Sequence, residues 1–158
     1  MLQNLVQPKA VKKDKPVKVH VDLEVDDSGY PPVSSEFLWC IPTTYGSYIV
    51  DNIPFYAREI SMGDEVAADV SKGLLAFRCV LKPSANSTIR VLVKRKEAQE
   101  RIASQLQEFG CNTEAMEGMP LIAVSLPPNS QLQKALAYID EEADLGTVAI
   151  EESAVRYR

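Results

Sequence analysis

His20 is the chain's single histidine, and any Ser-His-Asp or Cys-His machine would have to be built on it alone. It lies inside "VKVHVDLEV", where alternation puts it on one face with Lys18 and Asp22, opposite Val19, Val21 and Leu23. That is the pattern of a solvent-facing strand residue. No HExxH, GxSxG, P-loop or GxGxxG spacing occurs. Two runs of carboxylates, Asp22 to Asp27 and Asp140 to Asp144, have the oxygen chemistry to hold a hard cation. The first lacks EF-hand spacing and its glycine. The second crowds the C-terminal end of an expected helix, where the macrodipole disfavours negative charge. Cys40, Cys79 and Cys111 are odd in number, far apart and without a CxxC, so they read as reduced thiols rather than a disulfide framework or zinc site. The expectation is a protein with no catalytic residues, no metal and no cofactor.

The elements that must position these groups divide the chain in two. In the second half, "TIRVLV" alternates as a strand, and Ala98, Ile102, Leu106 and Phe109 then share one face of a helix stopped at Gly110. Two extended segments around Gly118 suggest a hairpin. Ser130 to Gln133 reads as a capping box for a helix whose stripe is Leu132, Ala135, Leu136, Ile139 and Ala143. "TVAIEES" is the last strand. The order βαββαβ predicts a ferredoxin-like unit with both helices on one face of an antiparallel sheet. In the first half, five short strand-like segments separated by glycine turns predict a small β-barrel or strongly bent antiparallel sheet. The fold class is α+β: a basic tail over 1–16, a β-rich half over 17–86, and a ferredoxin-like half over 87–158 packed against it.

The stretch "DNIPFYAREISMGDEV", residues 51 to 66, reads as a corner: Asp51 and Asn52 suit a turn, Pro54 breaks the strand, Phe55 is placed to plug the barrel, and Gly63-Asp64 starts the next strand. Alternation assigns Leu38 and Cys40 to one face of their strand and Phe37, Trp39 and Ile41 to the other. Trp39, Tyr45, Tyr48, Phe55 and Tyr56 cluster here and are read chiefly as core and inter-half packing, with the chemistry of interface anchors as well.

The succession Glu36, Leu38, Trp39; Asn52, Pro54, Phe55; Gly63, Asp64, Val66; Ser87, Thr88, Arg90 resembles the bacterial family of domain of unknown function 4265. The resemblance implies a bacterial, soluble protein of unassigned role. Small acidic relatives encoded beside toxins make it imply an immunity function as well.

Composition narrows the partners. With 46% hydrophobic and 25% charged residues the chain should fold. Net charge is −5, and five lysines among residues 1–18 against Asp14 leave about −9 on the remainder. Such a body repels nucleic acid and anionic lipid, and the strands of the ferredoxin-like half lack the aromatics that stack RNA bases. No apolar run reaches membrane length and no signal peptide precedes the lysines, so a cytoplasmic setting is expected. Asp140, Glu141, Glu142, Asp144, Glu151 and Glu152 concentrate acid in one region of sequence. Together with Tyr45, Tyr48 and Tyr56 they are the candidate contacts to a cognate toxin, neutralised by direct binding. The alternative is a ligand-sensing regulatory domain of ferredoxin-like type.

Overall fold

A computed structural model describes residues 15–157; the expected basic tail lies almost wholly outside them. The chain forms two compact units.

The first unit is a closed barrel of β1 (Val17–Asp22), β2 (Ser35–Pro42), β3 (Tyr48–Val50), β4 (Glu65–Ser71) and β5 (Leu74–Lys82). Successive strands pair antiparallel, and β5 closes the barrel by pairing parallel with β1 at Val19↔Leu75 and His20↔Ala76. Alternation fills the interior with Val19, Val21, Leu38, Cys40, Val50 and Val66, all buried. The β4–β5 hairpin turns through Lys72 and Gly73, both at positive φ (52° and 78°), as a two-residue loop matched to strand twist requires.

The second unit is a four-stranded sheet in the order β7-β8-β6-β9, built from β6 (Ser87–Val93), β7 (Asn112–Ala115), β8 (Leu121–Leu126) and β9 (Val148–Ala154). With α1 (Gln99–Glu108) and α2 (Leu132–Asp144) this is the expected βαββαβ unit, all strand pairs antiparallel. Ile89, Val91, Ile122, Val124 and Val148 meet Ala98, Ile102, Leu106, Ala135 and Ile139 in one hydrophobic core. The helices thus cover a single face of the sheet.

Three expectations are corrected. First, the β-rich half is not the continuous stretch 17–86: residues 53–61 belong to the second unit, and the chain returns to the barrel from Met62 to Ser84. Second, Phe55 therefore does not plug the barrel, whose interior is filled by its own strands. Third, the capping box does not form. The helix begins one residue later than that box requires, with Gln131 as its N-cap and no side-chain capping bond, while Ser130 Oγ donates to the Pro127 carbonyl at 2.6 Å.

Ser130 is held there by its neighbours. Gln131 N donates to the Phe109 carbonyl at 2.7 Å, bringing the loop against the end of α1. Gly110 sits at φ +91°, and a Cβ on it would stand 3.2 Å from Ser130 Cα. Gly118, at φ +78°, has open space around the same position. Gly118→Ala is expected to lower stability by about 1 kcal/mol through backbone strain alone. Gly110→Ala should cost visibly more, because contact adds to strain; urea unfolding midpoints of the two variants measure the difference.

Candidate functional site

β6 is buried on both faces. Ile89, Val91 and Val93 turn to the helices, so Thr88 and Arg90 turn to the other side. Arg90 has no exposed surface at all. An arginine stays charged when buried and needs its counter-charge and acceptors supplied. Arg90 Nη1 donates to Glu151 Oε1 at 3.1 Å, from the residue directly opposite on β9, and Nη2 donates to the Ala57 carbonyl. Arg58 Nη2 lies 3.5 Å from the other Glu151 oxygen.

Ala57 belongs to residues 53–61, which serve as the sheet's second cover. Ile53, Ala57 and Ile60 are buried apolar contacts, and Ile53 N donates to Glu114 Oε2 at 2.7 Å. Ser61 Oγ and Thr88 Oγ1 share a hydrogen bond of 2.5 Å, Ser153 Oγ donates to the Ala57 carbonyl at 3.1 Å, and Glu59 N donates to the Ser153 carbonyl at 3.3 Å. Glu59 holds the left-handed conformation, φ 63°, unusual for a residue with a side chain. The ends of the excursion are fastened inside the barrel unit: Asn52 Oδ1 accepts from Trp39 N at 3.1 Å, and buried Asp64 Oδ1 accepts from Ser84 N at 2.8 Å. The corner stretch is therefore a covering segment with pinned ends.

The candidate acids are not brought to one place. Asp140, Glu141 and Asp144 are exposed at the end of α2, which has no basic residue in its last turn. Glu142 is buried and takes two bonds from Arg101 of α1, at 2.9 and 3.2 Å. Arg101's hydrogen bond holds the Glu142 carboxyl below its ordinary value against the opposing effect of desolvation. Glu151 faces the cover segment, on the side of the sheet away from α2, and exposed Glu152 accepts from Tyr157 Oη at 3.1 Å. Tyr45 and Tyr48 lie in the barrel unit, Tyr45 exposed and Tyr48 half-buried; Tyr56 is half-buried in the second unit.

The aromatics on the face of β2 opposite Leu38 and Cys40 are on the surface. Phe37 and Trp39 are 44% and 46% exposed on the outer wall of β2, whereas Leu38 and Cys40 are fully buried inside. Lys18 and His20 stand opposite them on β1. Lys18 Nζ is 5.1 Å from the Trp39 ring centre and 5.6 Å from that of Phe37. The His20 ring is 5.2 Å from that of Phe37, and its Nδ1 is 3.6 Å from Asp22 Oδ1.

Burial, with a smaller effect from Asp51, pushes the Cys40 thiol up to about 12, and burial alone pushes Cys111 up to about 11. Both are thiols rather than thiolates near neutrality, inert as nucleophiles. Among the described residues no group of three or more His, Cys, Asp or Glu is placed to hold a metal ion, and no helix is long and apolar enough to cross a membrane.

These features define a two-unit α+β protein of closed barrel and ferredoxin-like sheet, the latter covered on its second face by a segment fastened to a buried arginine. The chain belongs to the bacterial family described as a domain of unknown function (DUF4265), which matches residues 36–150. No curated protein matches it. The crystal structure of a hypothetical protein from Neisseria gonorrhoeae is similar in fold, with a TM-score of 0.74 at 18% identity, covering 92% of this chain and 99% of that one.

Removing one partner of a buried pair leaves the other uncompensated. Glu151→Ala is expected to destabilise by about 3 kcal/mol in denaturant unfolding, and adding Arg90→Met to that variant should restore part of the loss. Glu142 gives a pH signature. Its folded-state pKa is lowered, so its contribution is present above the ordinary carboxyl value of 4.5 and is lost as pH falls through the folded value. The stability gap between wild type and Glu142→Gln should narrow as pH is lowered below 4.5.

Proposed function

We propose that this protein works by binding, as a bacterial immunity or antitoxin-like protein that neutralises a cognate toxin by direct contact, with the toxin presenting a basic surface. The observation that carries this reading is the end of α2. Asp140, Glu141 and Asp144 are exposed at the negative pole of the helix, with no basic residue in its last turn. Each such carboxylate costs on the order of 0.3–1 kcal/mol relative to a helix end that carries bases. Glu142, the buried member of the run, is neutralised by Arg101; its three neighbours are left to the solvent side, where a cationic partner would relieve their repulsion. Charge of this kind steers association and fixes orientation.

The test uses affinity capture from the native bacterium at low and then raised salt, with the charge-neutralised Asp140→Asn, Glu141→Gln, Asp144→Asn protein run in parallel. A stoichiometric basic partner should bind the wild type, leave as salt rises, and associate with the neutralised protein about tenfold more slowly at low salt. Co-expression should relieve that partner's toxicity. Equal capture by both proteins would remove the acidic surface from the mechanism, and a captured partner with no toxicity would remove the immunity role.

A further inference from the structure

The outer wall of β1 and β2 already holds a cation. Lys18 Nζ stands 5.1 Å from the Trp39 ring centre and 5.6 Å from the Phe37 ring centre, within the distance at which an ammonium is attracted by the negative face of an aromatic ring. Nearly half of each ring is nonetheless open to solvent. Lys18 reaches the rings from the residue opposite Trp39, and its own surface is exposed. Its departure uncovers aromatic faces and returns one ammonium to water.

We propose that Phe37 and Trp39 form a cation-accepting site that Lys18 occupies in the free protein and yields to a lysine or arginine side chain of the partner. This rests on the reading that the partner is a basic protein. The site's borders favour a cation over an anion. The exposed carboxylate of Asp22 lies along β1 beyond His20, which it holds at 3.6 Å, and exposed Asp51 follows β3, its backbone N–H bonded to the Trp39 carbonyl at 2.8 Å. A phosphate-bearing ligand would meet both carboxylates, while a guanidinium stacked on Trp39 would be drawn to them. Strand pairing sets Trp39 opposite Lys18 and Phe37 opposite His20, so the two aromatic residues stand on the same wall.

Trp39 is the chain's one tryptophan, so fluorescence excited at the red edge, where the tyrosines do not absorb, reports on this wall. The full chain is titrated with octa-arginine and octa-lysine peptides, and separately with a ten-nucleotide deoxythymidine strand. The peptides should change Trp39 emission saturably. Lys18→Met, which removes the occupant from an exposed position, should tighten peptide binding about threefold, and Phe37→Ala, also at an exposed position, should weaken it about threefold. Suppose labelled peptide binds by anisotropy, Trp39 stays silent, and binding is lost in the Asp140→Asn, Glu141→Gln, Asp144→Asn protein: then the acids take the cation, the aromatic site is overturned, and the binding function stands. A Trp39 response to the oligonucleotide alone overturns the choice of a cationic partner at this wall. No response to any peptide by either readout also overturns the site, while salt-dependent capture of the toxin decides the broader function independently.

Discussion

A guanidinium with no access to water dictates the arrangement of the second unit. Arg90 cannot shed its charge, so the sheet must bring it a carboxylate and a carbonyl. Glu151 arrives through strand pairing and the Ala57 carbonyl through residues 53–61. A sheet covered by helices on one face and by water on the other would not bury Arg90; the excursion out of the barrel makes the second face dry enough to need the pair. Charge and cover require each other. The hydrogen bonds of Ser61, Ser153 and Glu114 then satisfy the polar groups that an irregular segment carries onto a sheet face.

The residues that carry the family resemblance acquire a physical meaning in this light. Asn52 and Asp64 pin the two ends of the excursion to the barrel, and Thr88 and Arg90 receive it on the sheet. Ser87 Oγ accepts from Arg156 N at 2.7 Å, tying the tail beyond β9 to the start of β6. A signature of this kind records how a chain is fastened.

Much of the fold was legible because periodicity reports burial. The 3.6-residue stripes of Ile102 and Leu106, and of Ala135 and Ile139, located both helices, and the two-residue alternation of β1 and β2 identified the barrel interior. The cover segment has no period, so nothing local distinguishes it from a loop that turns a corner. Arg90 likewise alternates with apolar residues as any half-exposed strand residue would. Its burial depends on groups 33 and 61 positions away. The acidic run "DEEAD" reads as uniform surface for the same reason, because Arg101, which draws Glu142 inward, is 41 residues distant. Alternation paired Phe37 with Trp39 correctly, but a barrel strand's two faces look alike when both are apolar.

The excursion also imposes an order in time. Ala57 contacts Arg90 at a separation of 33 residues and Ser153 at a separation of 96. During synthesis at roughly 5–20 residues per second, residues 53–61 leave the ribosome on the order of 5–20 seconds before β9 is complete. The barrel can begin to pair its first three strands while its own β3–β4 connection still lacks the surface it will cover. Contacts of such long range raise the loop-closure entropy to be overcome before they reward the chain, which places this fold toward the slow end for its length. In the interval the buried side chains of the segment, Ile53 and Ile60 among them, are open to any chaperone that reads unpaired apolar sequence.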